Sequence, residues 1–303
     1  MQRITIGIPC FNEEKNITNL LCSLVQHNAE DFVISEVIIS DDSYDKTPQL
    51  VDTFVDNNNN NNNCPLNIKL IHHSQRRGAG AAWNEIFEKS SGDIIVLYDA
   101  DVIIDKNCTQ QLVWSIKGKV GLCAANPMPV PIRGVAGKAS IFTSNWLRSI
   151  RKRVLSQYTV MGRSLSLRSD FAKKIRIPHD IIAIDLYLQC KALEHGLDIA
   201  YNDNAIVYFR PANTVSDFIS QVMRASNGHK QIWDYVSKFR IDLSPKISII
   251  ETIRNAICNP AGAISTMLCY AVIPYYKVKL KNTGSAKWQT AISTKALDYN
   301  QQP

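Results

Sequence analysis

Between Arg3 and Ala125 the chain switches repeatedly between two hydrophobic periodicities, and this restricts the fold more than any other feature. The β-branched runs are RITIGI (3–8), FVISEVIIS (32–40), LNIKLIH (66–72), DIIVLY (93–98) and KVGLCAA (119–125). Between them lie EEKNITNLLCSLVQH, TPQLVDTFV, AGAAWNEIFEKS and CTQQLVWSI, with apolar residues at helical spacing. In the first of these, Ile17, Leu20, Leu21, Leu24 and Val25 share one helical face. Strands alternating with single helices predict βαβ units, and hence an α/β class with a largely parallel sheet.

After residue 126 the pattern loosens. NPMPVPIRG (126–134) is too rich in proline for a central strand or a helix. A helix is predicted over 138–158, another over IDLYLQCKALEHG, two short strands within LDIAYNDNAIVYF, and a helix from Val215 onward. Three segments follow from this reading: 1–125, 126–235 and a helical 236–303. The asparagine run Asn57–Asn63 cannot bury apolar area and predicts a surface loop or a disordered segment.

A chain of 303 residues has ample material for a core. Its net charge of +7 suits an anionic partner, but the cations form no arm of the kind that binds nucleic acid. Eight scattered cysteines without a CxxC pair argue for a reducing compartment and against a zinc site. A strand beginning at once after Met1 leaves no room for a signal peptide, so a cytoplasmic location is expected.

Open parallel sheets bind ligands beyond the carboxyl ends of their strands. Pro9, Cys10 and Phe11 follow the first strand, Asp41 the second, and Asp99 and Asp101 the fourth, so all should meet at one rim. A D-x-D pair there suits a hard divalent cation, Mn2+ or Mg2+, that keeps positions open for phosphate oxygens.

IPCFNEEKNI (8–17), SDDSYDKT (40–47), RRGAGAAWN (76–84) and YDADVIID (98–105) occur in that order, each just past a predicted strand. Together they closely resemble the nucleotide-binding half of family 2 glycosyltransferases, which have the GT-A fold, a Rossmann-like mixed sheet flanked by helices. AIDLYLQCKALEHGLDIAYNDNAIVYF (183–209) resembles that family's catalytic segment, and QVMRASNG (221–228) its Q-x-x-R-W element. The resemblance, over about residues 3 to 230, implies a nucleotide-sugar donor, UDP-linked or GDP-linked, and transfer with inversion. It implies that Pro9, Cys10, Phe11 and Glu13 hold the nucleoside and that Asp41 meets the base. Arg77 before Gly78, with Arg76 as an equal rival, is implied for the diphosphate. Asp101 is implied as the metal ligand, assisted by Asp99 with Ala100 beside the donor, and Asp185 as the general base. Gly162, Arg163, Gln221 and Arg224 are implied for the acceptor or the diphosphate, while His229 is either near the metal or a surface residue. Three positions depart from the family pattern: Ser40 where a first acid is usual, Ile184 before the base, and Ala225 in place of tryptophan.

Two further stretches bear on the acceptor. In NWLRSIRKRVLSQY (145–158), Trp146, Leu147, Ile150, Val154, Leu155 and Tyr158 share one helical face and Arg148, Arg151, Lys152 and Arg153 crowd the rest, as in a helix packed on the sheet with a solvated basic face, or one lying on an anionic membrane. The apolar stretch 256–281 is interrupted by Asn259, Pro260, Gly262 and Pro274 and falls short of a spanning helix. A glycan, lipid or lipid-linked acceptor and peripheral membrane contact are the expectation. Two other readings stay open: a nucleotidyltransferase, and a non-catalytic nucleotide- or sugar-binding protein on a transferase scaffold.

Overall fold

The computed structural model describes residues 1–27, 30–60, 66–153, 163–239, 245–279 and 294–295. In chain order the first half comprises β1 (Gln2–Cys10), α1 (Ile17–Val25), β2 (Phe32–Asp41), α2 (Thr47–Asn60), β3 (Ile68–His72), α3 (Ala79–Lys89), β4 (Ile94–Tyr98), β5 (Val102–Ile104) and α4 (Cys108–Ser115). Then come β6 (Val120–Pro129), α5 (Val135–Arg153), β7 (Ser164–Arg168), α6 (Ser169–Ala172), α7 (Ile184–Glu194), β8 (Asp198–Phe209), α8 (Val215–Gln231) and α9 (Trp233–Lys238). Three helices follow: α10 (Pro245–Cys258), α11 (Pro260–Ala271) and α12 (Ile273–Lys279).

The strands form one sheet in the order β3-β2-β1-β4-β7-β6-β8-β5. Only β7 and β5 run against the rest. β4, parallel to β1 and antiparallel to β7, is buried along its whole length and faces a helical layer on each side. Ile94, Val96 and Tyr98 pack with α1 and α4 on one side, while Ile95 and Leu97 pack with α3 and α7 on the other. A smaller cluster joins Ala136 and Ala139 of α5, Phe218 and Ile219 of α8 and Cys269 of α11. It fastens the C-terminal helices to the sheet-bearing body. The sheet draws strands from both sides of residue 125, and β6 itself crosses that position.

Three local expectations are corrected. The proline-rich run belongs to the sheet: Asn126 to Pro129 continue β6 and pair with Ile206 to Phe209. Val130 donates to the Phe209 carbonyl, so the even-numbered residues face β8 and Pro127 and Pro129 face the other edge. There β7 has stopped pairing after Ala124, and no donor is missed. The two short strands predicted in 198–209 are one strand, β8, whose register against β6 shifts twice. Asn57 to Asn60 continue α2 instead of looping, because Leu50, Val51 and Phe54 anchor the helix upstream and propagation adds one bond per residue. Asn61 to Asn63 lie outside the described residues.

Candidate active site

The loops after β1 and β2 are laced to each other. Asn12 N donates to Ser43 Oγ at 2.7 Å, Glu13 N to Thr47 Oγ1 at 2.8 Å, and Tyr44 N to Asn12 Oδ1 at 2.9 Å. Strand register sets Pro9 beside Ser40 and Cys10 beside Asp41, so the motifs that were separate in sequence form one corner of the rim. Phe11 is capped on its face by Arg76, 4.0 Å from the ring centroid, and on its edge by exposed Tyr44.

Asp41 is fully buried, with Oδ2 at 2.7 Å from His72 Nδ1 and Oδ1 accepting from Ser43. Asp42, which the sequence reading passed over, is also buried and binds the glycine-rich turn. It accepts from Arg77 N at 2.6 Å, Arg77 Nε at 3.0 Å and Gly78 N at 3.1 Å. Gly78 has φ 99°, a backbone conformation glycine adopts without penalty, and it leads directly into α3. Arg77 Nη2 also donates to Ser40 Oγ and to Glu85, each at 3.0 Å. Arg77 is thus a tie within the fold, and of the two rival arginines Arg76 is the one stationed over Phe11. The serine that departs from the family pattern, Ser40, belongs to this same network, donating to Glu85 at 2.7 Å.

Glu13 accepts from Asn16 Nδ2 at 2.8 Å, and Lys295 Nζ lies 2.9 Å from its other oxygen. Burial, reinforced by the charge of Asp101, pushes the Glu13 carboxyl up to about 7. No pattern around Lys295 in the sequence announces that it reaches this corner.

Asp99, Ala100 and Asp101 form the turn between β4 and β5. Asp99 N donates to the Arg163 carbonyl at 2.9 Å, and Val102 pairs with Phe209, so the turn is clamped between the start of β7 and the end of β8. Arg163 Nη1 lies 3.4 Å from Asp101, and its guanidinium lies 3.9 Å above the Phe209 ring. Burial pushes the Asp99 carboxyl up to about 7; the charges of Asp101 and Asp185 add to this, while Arg163 and Arg224 oppose it. Burial also lowers the pKa of Arg224, against the pull of Asp185, Asp99 and Asp101. The acids of the β4–β5 turn and Asp185 therefore share one electrostatic environment with Arg163 and Arg224.

Asp185 enters from the first turn of α7, with Ile184 buried beneath it. Its position depends on α8: a β-carbon on Gly228 would sit 2.8 Å from that of Ala183, so only glycine lets the helix come this close. Gln231 holds the same segment, accepting from Ile182 N at 2.9 Å and donating to the Asp180 carbonyl at 2.7 Å. His229 feels Asp185 and is lowered by burial. Gln221 lines a small cavity of about 60 Å3 with Ser140, Thr143, Ser144 and Phe209. Ala225 is exposed. Gly162 lies outside the described residues.

Arg151 was expected on a solvated basic face and is instead buried, 3% exposed. Burial lowers its pKa to about 10, against the pull of Tyr201 and Asp185. The other three cations of 145–153 are paired: Arg148 and Lys152 with Asp203, and Arg153 with Glu251.

Among the described residues no group of three or more His, Cys, Asp or Glu side chains could hold a metal ion. What the rim offers is a pair of carboxylates, Asp99 and Asp101, one of them held back from ionising by burial and by its neighbour. A hard cation relieves that repulsion, and it completes its oxygen shell from phosphate and water. The donor set fits Mn2+ or Mg2+ brought with a diphosphate.

The profile described as Glycosyl transferase family 2 matches residues 5–161. Glycosyltransferase AglD of Haloferax volcanii is 27% identical over 118 residues, 38% of this chain and 18% of AglD. The chain thus spans under a fifth of the length of that curated relative. Among solved structures, the mannosyltransferase PcManGT from Pyrobaculum calidifontis, in complex with GDP-Man and Mn2+, superposes with a TM-score of 0.60 at 17% identity. The superposition covers 93% of this chain and 79% of that one. Staphylococcus aureus TarS 1-349 gives a TM-score of 0.54 at 20% identity, covering 93% and 75%. At these identities the likeness bears on the fold, a GT-A arrangement.

Proposed function

We propose, for a chain that belongs to glycosyl transferase family 2, that it moves a sugar from a nucleotide-diphosphate donor to an acceptor hydroxyl with inversion. The nucleoside lies in the corner made by Pro9, Cys10, Phe11, Glu13 and Asp41, with Phe11 and Tyr44 as its aromatic wall. Arg76 meets the diphosphate, since Arg77 is engaged by Asp42, Ser40 and Glu85. Asp101 and Asp99 hold the divalent cation, which when bound neutralises charge on the leaving diphosphate.

Asp185 accepts the proton of the acceptor hydroxyl as its oxygen attacks the anomeric carbon. The observation that carries this reading is a gathering of charge at one rim: Arg163 holds the Asp99–Asp101 turn through its carbonyl at 2.9 Å and its guanidinium at 3.4 Å, and Asp185 is among the charges that bear on Asp99 and Arg224. A base on the acceptor side must stand near the acids that hold the donor. Arg163 and Arg224 balance the acids there, and Gln221 offers hydrogen bonds to the sugar or the acceptor, while the Ser140, Thr143 and Ser144 hydroxyls beside it already donate to backbone carbonyls. PcManGT was solved with GDP-Man and Mn2+ and TarS 1-349 with UDP, which supports a metal-linked nucleotide without deciding between uridine and guanosine.

The acceptor is carried at a membrane surface, as a lipid or lipid-linked glycan. Ile249, Ile253 and Ile257 of α10 and Ile264, Met267 and Leu268 of α11 are exposed, and α11 carries no charged residue. No helix among the described residues is long and apolar enough to cross a membrane, so these helices would lie along it. The paired cations of α5 make 145–153 the weaker candidate for that contact.

Calorimetric titration with UDP and with GDP, each with and without Mn2+, tests the donor site. Metal-dependent binding of one nucleotide is expected, and no binding of either would exclude the reading.

A further inference from the structure

A lysine from the far end of the chain occupies the corner in which the nucleoside is proposed to sit. Lys295 lies 284 positions from Phe11, yet its ammonium donates to the Phe11 carbonyl at 3.1 Å and to the Asn12 carbonyl. It also lies 2.9 Å from Glu13 Oε1. Its side chain is only 17% exposed, and Thr294 beside it is buried. An ammonium has three N–H donors and no acceptor, and here all three are used. Lys295 has nothing left with which to grip a phosphate oxygen.

The acceptors it uses are those a nucleoside needs. A base presents N–H groups and a ribose presents hydroxyls, and both would be met at the end of β1 by the Phe11 and Asn12 carbonyls and by Glu13. The second Glu13 oxygen already accepts from Asn16. With Lys295 in place both Glu13 oxygens are taken, and both carbonyls are turned to the ammonium.

We infer that Lys295 is an internal competitor of the donor nucleotide, holding the nucleoside corner closed until the nucleotide displaces it. The inference rests on the donor-site reading above. Lys295 thereby sets nucleotide affinity, since each binding event must first break its three contacts. The exchange is balanced in hydrogen bonds: the carbonyls and Glu13 pass from the ammonium to the nucleoside, and the ammonium passes to water.

Two measurements on the full chain test it. Calorimetric titration of UDP, and of GDP, in the presence of Mn2+ compares the unaltered protein with Lys295→Ala. Affinity for the nucleotide that binds is expected to rise about tenfold, at the low end of what charged hydrogen bonds contribute. Unchanged or weaker affinity would overturn the inference and leave the donor site standing. If neither protein binds either nucleotide, the donor-site reading itself has failed. The second measurement needs no substitution. Acetylation of surface lysines, read by mass spectrometry, should be slow at Lys295 in the free protein and several-fold faster with saturating nucleotide and Mn2+. Protection of Lys295 by the nucleotide would instead make it a residue that binds the donor, contrary to the inference.

Discussion

Arg163 and Asp101 meet at 3.4 Å, although one immediately precedes β7 and the other β5. The arginine's guanidinium also lies 3.9 Å from the Phe209 ring centroid, so the aspartate has a counter-charge at the rim. A cation bound at Asp101 would have to share or displace this contact. Asp101→Asn preserves its size and removes its charge. Nucleotide affinity in Mn2+ is expected to fall about 10- to 100-fold, with affinity in chelator unchanged. Calorimetry in both conditions checks this, and retained metal dependence would assign the cation to other ligands.

Gly228 is the contact point that sets α8 against the segment leading into Asp185. In Gly228→Val, the added branches would press on Ala183, whose β-carbon and nitrogen already lie within 3.2 Å of the first new carbon. Overpacking of this kind costs about 1–3 kcal/mol, seen as a lower urea midpoint. Transfer should be lost while metal-dependent nucleotide binding persists, because the donor corner lies on other elements. Normal turnover in this variant would mean that α8 does not position the base.

Glu36 supplies a pH dependence away from the site. It is almost wholly buried in β2, and burial alone would hinder its ionisation. Lys69, Ser91 and Thr5 all donate to it and outweigh that, holding its carboxyl at about 2 against an ordinary 4.5. A lowered folded pKa stabilises above the unfolded value, so this contribution is present above 4.5 and is lost as pH falls toward 2. The stability gap between the unaltered protein and Glu36→Gln should therefore shrink across that window in urea titrations. A gap that is constant with pH would contradict the assignment.

The C-terminal helices make a separate prediction. Sedimentation with anionic vesicles should pull down the full chain, and Ile257→Asp with Met267→Asp should weaken this about tenfold or more. Failure of the unaltered protein to bind vesicles would remove the membrane-borne acceptor from the account.

The α/β class and the order of the rim motifs were legible because each strand ends in a chemically distinctive turn. Asp99 and Asp101 follow β4 as expected, while Pro9 and Asp41, expected just past their strands, are among the last residues of β1 and β2. The division of labour among neighbours was not legible. Asp42 and Arg77 are tied to each other through contacts 35 positions apart, which no local pattern reveals. The same holds for Lys295, brought to Phe11 by tertiary structure alone. NPMPVPIRG was misjudged because proline excludes a strand only where a neighbour needs its missing donor, and at Pro127 and Pro129 none does. The burial of Arg151 escaped notice because helical periodicity marks a charged face without saying what packs on it.

The most direct trial of the account is Asp185→Asn, assayed side by side for nucleotide binding and for sugar transfer. The amide keeps the side chain's shape and cannot take up the hydroxyl proton. Metal-linked nucleotide affinity should stay within about twofold of the unaltered protein, while transfer falls about 100-fold or more. Transfer at the unaltered rate would contradict the assignment of Asp185 as the general base.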